Sequence, residues 1–375
     1  MSEERKPSGL AGVVAGITAI STVGKEGVGL TYRGYMIEDL AENATFEEVA
    51  YLILFGELPG KAALDEFSTC LRNGRSLPSA LTEVLERVPP KAHPMDVLRT
   101  ACSMLGTLEP EGDFSRERTT AVRLLGIFPA ALAYWHRFHR DGIRLDATRD
   151  GELGFAAFFL KALLGKRIDE ECERALDVSF ILYAEHEFNA STFATRITAS
   201  TLSDIHSAIT TGIGTLRGPL HGGANEAAMD LIQKFEAPNQ AEQGILEMLR
   251  KKELIMGFGH RVYKHADPRS DIIQKWAQRL ARTENEKRLY AVAERIEAVM
   301  RREKGLFPNL DFYSALVYHF CEIATPLFSP LFVLARTSGW SAHVFEQRAN
   351  NRLIRPTAEY TGPAPRKFVP IQNRS

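Results

Sequence analysis

Cysteine is scarce in this sequence, with four residues in a chain of 375. They are Cys70, Cys102, Cys172 and Cys321, which lie far apart and form no Cys-x-x-Cys pair. This spacing argues against a disulfide framework or a zinc site and is typical of reduced thiols in a cytosolic protein.

The sequence also lacks an excess of charge of either sign and lacks long apolar runs. Lys and Arg number 46 against 47 Asp and Glu, a net charge of -1, which argues against bulk nucleic-acid binding. No apolar run reaches the roughly 18 residues that a membrane span requires, and charged residues 3–6 do not begin a signal peptide. We therefore expect a cytoplasmic protein with neither nucleic-acid nor membrane partners.

Strand patterns are limited to the N-terminal region, and helical patterns fill the rest of the chain. Residues 18–23 and 30–32 are rich enough in β-branched residues to pair as a hairpin around Gly24–Gly29. From Thr45 onward the patterns are helical, beginning with the capping box Thr45-Phe46-Glu47-Glu48. There is no alternation of strands and helices to support a parallel sheet, so the sequence predicts an all-α protein.

Two further helices are predicted with specific boundaries. Residues 116–139 have the pattern of one long helix that Pro129 should kink or break, because proline lacks an N–H and fixes φ. Ser191 is expected to cap a helix with an inner apolar face. That face consists of Leu202, Ile205, Ile209 and Ile213.

Three short segments at breaks between helices carry the side chains of greatest chemical interest. His221 lies in Leu-His-Gly-Gly-Ala-Asn-Glu, His260 lies in Gly-Phe-Gly-His-Arg, and Asp311 ends Phe-Pro-Asn-Leu-Asp. Glycine beside histidine lets a ligand approach the imidazole, because no Cβ obstructs it. Two histidines and a carboxylate that converge on one molecule provide a base, an electrophilic stabiliser and an acid for proton transfer at carbon.

Each of the three has an alternative interpretation. His221 precedes a helix N-terminus, which favours a neutral ring able to donate to an oxyanion, but it also fits an ordinary turn histidine. The loop of His260 also holds Lys264 and Arg269, which suit a phosphate or carboxylate, although Arg269 also fits a solvated surface pair. Asp311 lies among apolar side chains that favour a more basic carboxylate, and it also fits a helix N-cap.

Two more residues stand out by their surroundings. His186 lies in His-Glu-Phe-Asn-Ala, and a zinc protease helix would need a second histidine where Ala190 stands. The alternative for His186 is a histidine at a helix end. Arg336 stands in an otherwise apolar helix, where a charge is rarely buried without a partner, and a substrate carboxylate is one such partner.

Taken together, these segments resemble the citrate synthase family over almost the whole chain. The resemblance runs from residues 12–16 through 24–27 and 32–35 to 355–362, and its most specific parts are the three segments with His221, His260 and Asp311. Within the family the sequence is most similar to the bacterial 2-methylcitrate synthases. Residues 184–193, 311–315, 318–319 and 360–370 carry this closer similarity.

The resemblance implies an all-α fold and an intertwined homodimer. A large domain would comprise residues 1–221 and 327–375, with a small domain, residues 222–326, inserted into it. The implied reaction is a Claisen condensation of an acyl-CoA, propionyl-CoA or acetyl-CoA, with oxaloacetate, followed by thioester hydrolysis. It implies no metal and no cofactor beyond the CoA thioester substrate.

The resemblance also implies a role for each matching residue. Asp311 would remove the acyl α-proton, His221 would donate to the enol oxygen, and His260 would polarise and protonate the ketone of oxaloacetate. The oxaloacetate ligands would be His186, Arg269, Arg336 and Arg355, the last reaching the active site of the partner subunit. Lys264 and Lys304 match positions that bind CoA phosphates.

Two other functions remain open on the sequence alone. One is a citrate synthase that uses acetyl-CoA in the tricarboxylic acid cycle. One methylene is worth only about 1–3 kcal/mol of discrimination, so we expect both acyl-CoAs to react to some degree. The other is a helical interaction protein without catalysis, which would have no need for His221, His260 and Asp311 together.

Overall fold

A computed structural model describes residues 9–10, 12–25, 29–149 and 152–374 of the chain. Within these residues the structure contains sixteen α-helices, one three-stranded sheet and three short 3-10 helices. The predicted all-α fold is therefore confirmed. None of the helices described is both long enough and apolar enough to cross a membrane.

The only sheet in the described residues is small and antiparallel. Its strands are β1 (Ser21–Lys25), β2 (Gly29–Tyr32) and β3 (Tyr35–Met36). Thr22 lies opposite Thr31, so β1 and β2 form the predicted hairpin, although residues 26–28 of its turn lie outside the described residues. The sequence does not predict β3, which follows a turn at Arg33 and Gly34, both with positive φ.

Helices occupy most of the remaining chain. In order they are α1 (Ile37–Asn43), α2 (Phe46–Phe55), α3 (Lys61–Asn73), α4 (Ser79–Arg87), α5 (Pro94–Leu108), α6 (Glu117–Asp141), α7 (Phe155–Leu164), α8 (Glu170–Tyr183), α9 (Ala190–Ser200), α10 (Ile205–Leu216), α11 (Ala224–Gln233), α12 (Pro238–Arg250), α13 (Pro268–Leu280), α14 (Glu284–Lys304), α15 (Leu310–Phe320) and α16 (Phe328–Ala349). The 3-10 helices are Phe114–Arg116, Thr325–Leu327 and Ile371–Asn373.

Local chemistry sets several of the helix ends. The predicted capping box is present, because Glu48 N donates to Thr45 Oγ1 at 3.3 Å and Thr45 N donates to the Glu48 carboxylate at 2.7 Å. A second capping box, between Thr283 and Glu286, begins α14. α2 ends at Gly56, whose φ of +97° is a left-handed conformation that glycine adopts without strain.

The predicted boundaries around α9 and α10 are wrong. Ser191 is already inside α9, and the helix is capped instead by Asn189, whose side chain accepts from Thr192 N at 3.1 Å. Leu202 does not belong to the inner face, because it is exposed with φ +63° in the turn between the two helices. Asp204 then caps α10. The capping preference of an aspartate outweighs the apolar spacing here.

Of the kink or break expected at Pro129, the break is absent, since α6 continues through that residue. Every residue from Leu124 to Trp135 is buried. A proline inside a helix costs about 3 kcal/mol. Full burial of each large apolar side chain returns roughly 1.5–3 kcal/mol, so two or three of them outweigh that cost.

α16 is the central helix of the protein, and all of its residues from Phe328 to Val344 are buried. α2, α6, α8, α9 and α10 pack around it. A second group forms where α11, α13 and α8 pack against α15, while α12 packs against α14. α8 contacts both α16 and α15, so residues at its C-terminus lie between the two groups. The domain boundaries at residues 222 and 326 remain predictions.

Candidate active site

Two backbone hydrogen bonds join the loop of His260 to the start of α15, which carries Asp311. They run from Gly259 N to Phe307 O at 2.7 Å and from Asn309 N to Gly257 O at 2.9 Å. Gly257 has φ +89°, and a Cβ on it would lie 3.0 Å from Phe312. Only glycine fits such a close approach, so the glycines of this segment bring His260 beside the helix of Asp311.

His260 is oriented by the backbone that follows it. Its Nδ1 accepts hydrogen bonds from Val262 N at 3.1 Å and Tyr263 N at 3.2 Å. Burial, with a contribution from the charge of Arg269, lowers the pKa of His260 to about 4. The ring is therefore neutral at pH 7. Because Nδ1 accepts, its single proton lies on Nε2, which can donate to a ligand.

His186 faces His260 from the segment after α8. The two ring centroids are 5.1 Å apart, and His186 Nε2 lies 3.1 Å from the hydroxyl oxygen of Tyr263. Burial holds the pKa of His186 well below its usual range, with the charge of Arg269 acting in the same direction. Two neutral imidazoles and a phenol thus form one side of the site. His186 also follows the C-terminus of α8, so the helix-end interpretation holds as well.

Arg269 is buried, so the alternative of a solvated surface pair is wrong. Its Nε and Nη2 donate to the two carboxylate oxygens of Asp267 at 2.9 and 2.8 Å. The same carboxylate accepts from Leu310 N at 3.2 Å, which connects the start of α13 to the start of α15. Burial alone would raise the pKa of Asp267, but the adjacent guanidinium lowers it overall. Asp267 therefore remains ionised and holds Arg269 where its charge acts on both histidines.

His221 lies in the turn before α11 and is oriented by α9. Its Nε2 accepts from Ser191 N at 3.2 Å and lies 2.8 Å from Ser191 Oγ, which also accepts from the indole N–H of Trp340 at 3.1 Å. Burial lowers the pKa of His221 to about 4, and the charge of Arg336 contributes. The neutral ring carries its proton on Nδ1, because Nε2 accepts. His221 therefore also offers one N–H.

Asp311 lies in the first turn of α15, and Asn309, not Asp311, caps that helix. The N-cap interpretation of Asp311 is therefore wrong. Its Oδ1 accepts from the hydroxyl of Tyr183 at 2.6 Å. Burial raises the pKa of Asp311, while the Tyr183 hydrogen bond and the charge of Arg269 oppose the increase. The carboxylate is more basic than in water, in the direction that its apolar neighbours predict.

Arg336 is fully enclosed in α16. Its Nε donates to Tyr183 O at 2.7 Å, and its guanidinium carbon lies 4.5 Å from the centroid of the Phe332 ring. Burial lowers the pKa of Arg336 to about 10, against the raising effect of Glu185, so it is charged at pH 7. Its Nη1 is buried without a hydrogen-bond partner among the described residues. An unpaired buried guanidinium N–H is suited to a ligand carboxylate.

Two aromatic residues connect these groups. The Tyr183 and Phe332 ring centroids are 4.6 Å apart, and the centroid of His221 lies 6.2 Å from that of Phe332. Tyr183 bonds Asp311 on one side, and Arg336 lies over Phe332 on the other. The structure thus brings a neutral N–H donor, a buried carboxylate and an unpaired guanidinium around one pair of rings.

The other predicted residues lie on the surface. Lys264 and Lys304 are exposed, as is Arg355 in the C-terminal tail. Their predicted roles in binding CoA and the oxaloacetate of a partner subunit remain predictions.

Three residues with clear contacts in the site were not predicted from the sequence. Tyr183, Ser191 and Tyr263 each bond or orient one of the predicted side chains. The sequence does contain a signal for Tyr183, because this tyrosine ends an apolar helical run and a buried tyrosine hydroxyl requires a hydrogen-bond partner.

The chain is similar to known proteins over almost its whole length. The family model described as "Citrate synthase, C-terminal domain" matches residues 9–357. The protein named 2-methylcitrate synthase of Shewanella oneidensis is 56% identical over 100% of both chains. The protein named Citrate synthase 2 of Bacillus subtilis is 44% identical over 98% of this chain and 99% of its own.

A solved structure shows the same fold. It is a citrate synthase from Thermoplasma acidophilum, in a ternary complex with carboxymethyl coenzyme A and oxaloacetate. The two chains superpose with a TM-score of 0.90 at 33% identity, covering 98% of each. On the match of residues 9–357 to the family model and the identity to these relatives, the chain belongs to the citrate synthase family.

Proposed function

We propose that this protein condenses propionyl-CoA with oxaloacetate to form 2-methylcitrate and CoA, and that it also accepts acetyl-CoA. The observation that carries the proposal is the arrangement of Asp311, His221 and His260: a basic buried carboxylate and two neutral histidines, each with a single N–H free of its structural partners. The full-length identity of 56% to a protein named 2-methylcitrate synthase supports the choice of propionyl-CoA.

The first step is removal of the α-proton of the acyl thioester. Asp311 is the base, because burial raises the pKa of its carboxylate and the Tyr183 hydroxyl fixes one oxygen. As the proton leaves, negative charge develops on the thioester oxygen. His221 Nδ1–H donates to that oxygen, and one such donor is worth about 3–4 kcal/mol in the transition state.

The second step is attack of the enol carbon on the ketone of oxaloacetate. His260 Nε2–H donates to the ketone oxygen and transfers its proton as the new carbon–carbon bond forms. The position of that proton follows from the two backbone N–H groups at Nδ1. Hydrolysis of the resulting thioester then releases CoA. Side chains of the protein and water supply every proton transfer in this scheme.

Oxaloacetate carries two carboxylates, and the buried positive charges suit them. Arg336 has an unpaired Nη1, whereas Arg269 keeps Nε and Nη2 on Asp267. The charges of both arginines act on His186, which completes the site in the proposal. Arg355 of a second subunit would add a further cation, so the proposed active form is a homodimer. Lys264 and Lys304 are the proposed contacts of the CoA phosphates.

A citrate synthase that prefers acetyl-CoA is the second candidate, because the chain is also 44% identical to a protein named Citrate synthase 2. The test is oxaloacetate-dependent thiol release, with kcat/KM measured for propionyl-CoA and acetyl-CoA and the products identified by mass. We expect kcat/KM to be higher for propionyl-CoA. A large preference for acetyl-CoA would favour the second candidate, and no thiol release with either substrate would reject both.

A further inference from the structure

Glu185 is a fully buried carboxylate directly before His186, and the proposed mechanism does not use it. Its Oε1 accepts from Ser21 Oγ at 3.0 Å and lies 2.9 Å from His343 Nε2. Its Oε2 is buried without a hydrogen-bond partner among the described residues. An ionised carboxylate costs several kcal/mol to bury, so its presence here calls for a compensating charge.

His343 does not supply that charge. Its Nδ1 lies 3.0 Å from Arg196 Nη1, and a guanidinium can only donate, so Nδ1 accepts. The single proton of the neutral ring therefore lies on Nε2 and is donated to Glu185 Oε1. Arg196 also donates to Glu346 at 2.7 Å, so its own charge is balanced there. Ser21 and His343 thus hold the Glu185 carboxylate by two neutral donors.

Arg336 is a cation close to Glu185, and its charge helps to keep that carboxylate ionised. Gly339 of α16 lies between Glu185 and Arg336. A Cβ at this position would overlap Glu185 Oε2 and lie 3.3 Å from Arg336 Cδ. Both side chains belong to the described residues, and they form no ion pair: no Arg336 nitrogen lies within 4.0 Å of a Glu185 oxygen. The two charges are therefore close but separate, and Arg336 Nη1 remains unpaired.

We propose that Glu185 is a positioning residue that balances the charge of Arg336 before a ligand binds, without occupying its Nη1. Ser21 and His343 hold the carboxylate back from the guanidinium. A carboxylate of oxaloacetate can then take the unpaired N–H without first displacing an internal ion pair. This inference rests on the proposed function, because it takes oxaloacetate as the ligand of Arg336.

The proposal predicts that two substitutions change the affinity for oxaloacetate in opposite directions. Glu185→Gln keeps an acceptor for Ser21 and His343 but removes a negative charge that repels the incoming dianion. We expect its Kd for oxaloacetate to fall about tenfold, which corresponds to about 1.4 kcal/mol. Ser21→Ala removes one of the two donors, so the carboxylate can move onto Arg336 and compete with the ligand. We expect its Kd to rise severalfold.

Isothermal titration calorimetry with oxaloacetate and no acyl-CoA measures both effects. Ser21 Oγ also accepts from Glu187 N at 3.0 Å, so Ser21→Ala could instead act by loosening the backbone. The double variant Ser21→Ala/Glu185→Gln separates this effect from competition by the Glu185 carboxylate. If Ser21→Ala acts by freeing the carboxylate, it has no further effect in the Glu185→Gln background. If it acts by loosening the segment around His186, the loss persists there.

Glu47→Gln is the matched control, since this carboxylate accepts from Phe155 N at 2.7 Å and makes no contact with the Glu185 group. It should leave Kd unchanged. Weaker binding by Glu185→Gln, or a Ser21→Ala loss that persists in the double variant, would overturn the inference. Should Glu185→Gln fail to fold, an unchanged Kd in Ser21→Ala would still overturn it. Wild-type protein that does not bind oxaloacetate would instead reject the proposed function.

Discussion

Tyr183 provides the sharpest prediction about the base. Its hydroxyl donates to Asp311 Oδ1 at 2.6 Å and lies 2.8 Å from Ser314 Oγ. This hydrogen bond stabilises the ionised carboxylate and partly offsets the effect of burial, which raises the pKa of Asp311. Tyr183→Phe removes the donor and keeps the ring that packs on Phe332. The pKa of Asp311 should therefore rise further.

The magnitude follows from the strength of such a bond. A hydrogen bond to a charged group is worth about 1.5–3 kcal/mol, and one pKa unit corresponds to about 1.4 kcal/mol. The pKa of Asp311 should thus rise by roughly 1–2 units in Tyr183→Phe. A base is active only when deprotonated, so the acidic limb of the pH–rate profile should move to higher pH by the same amount, while the rate on the plateau changes less.

The assay is thiol release from propionyl-CoA at saturating oxaloacetate, with kcat/KM for the acyl-CoA measured from pH 5 to pH 9. Tyr134→Phe is the matched control, because this buried tyrosine also donates to a carboxylate at 2.6 Å, but that carboxylate is Glu86 and not Asp311. Its acidic limb should coincide with that of the wild type. If the acidic limb of the Tyr183→Phe pH–rate profile stays in place or moves to lower pH, Asp311 is not the base that titrates.

Three further outcomes follow from the same contacts. Arg336→Lys loses the bond from Nε to Tyr183 O and the free Nη1, so the KM for oxaloacetate should rise about tenfold or more in steady-state assays. His221 and His260 have folded pKa values of about 4 against roughly 6.5 when unfolded, so the unfolded chain binds more protons between these values. Urea unfolding should therefore show stability falling as pH drops from about 6.5 to 4, and a flat profile would contradict the burial of both rings. Gly339→Ala would overlap Glu185 and the carbonyl of Ala184, so it should cost about 1–3 kcal/mol in the same urea assay, and an unchanged midpoint would contradict that packing.

The sequence predicts the class of fold because its signals are local. The capping box at Thr45 and the apolar spacing of the helices depend on residues within one or two turns, and the structure reproduces them. Where two local signals compete, the sequence does not decide between them. Asn309 and Asp311 are both good N-caps two residues apart, and the backbone bond from Asn309 N to Gly257 O selects Asn309.

The contacts that define the site are long-range, and this explains which residues were missed. Tyr183 meets Asp311 across 128 positions of sequence, and Ser191 meets His221 across 30. The sequence can signal that such a side chain needs a partner, but only the fold shows which residue the partner is. Arg269 was open to a surface interpretation for the same reason: its burial depends on how α13 packs against α15 and α8.

The most direct test of the proposed chemistry compares the wild type with Asp311→Asn. Asparagine keeps the shape of the side chain and an oxygen for the Tyr183 hydroxyl, but it cannot take a proton. Oxaloacetate-dependent thiol release from propionyl-CoA should fall by several orders of magnitude, while oxaloacetate binding measured by calorimetry stays close to that of the wild type. An Asp311→Asn protein that still turns over at the wild-type rate would contradict the account.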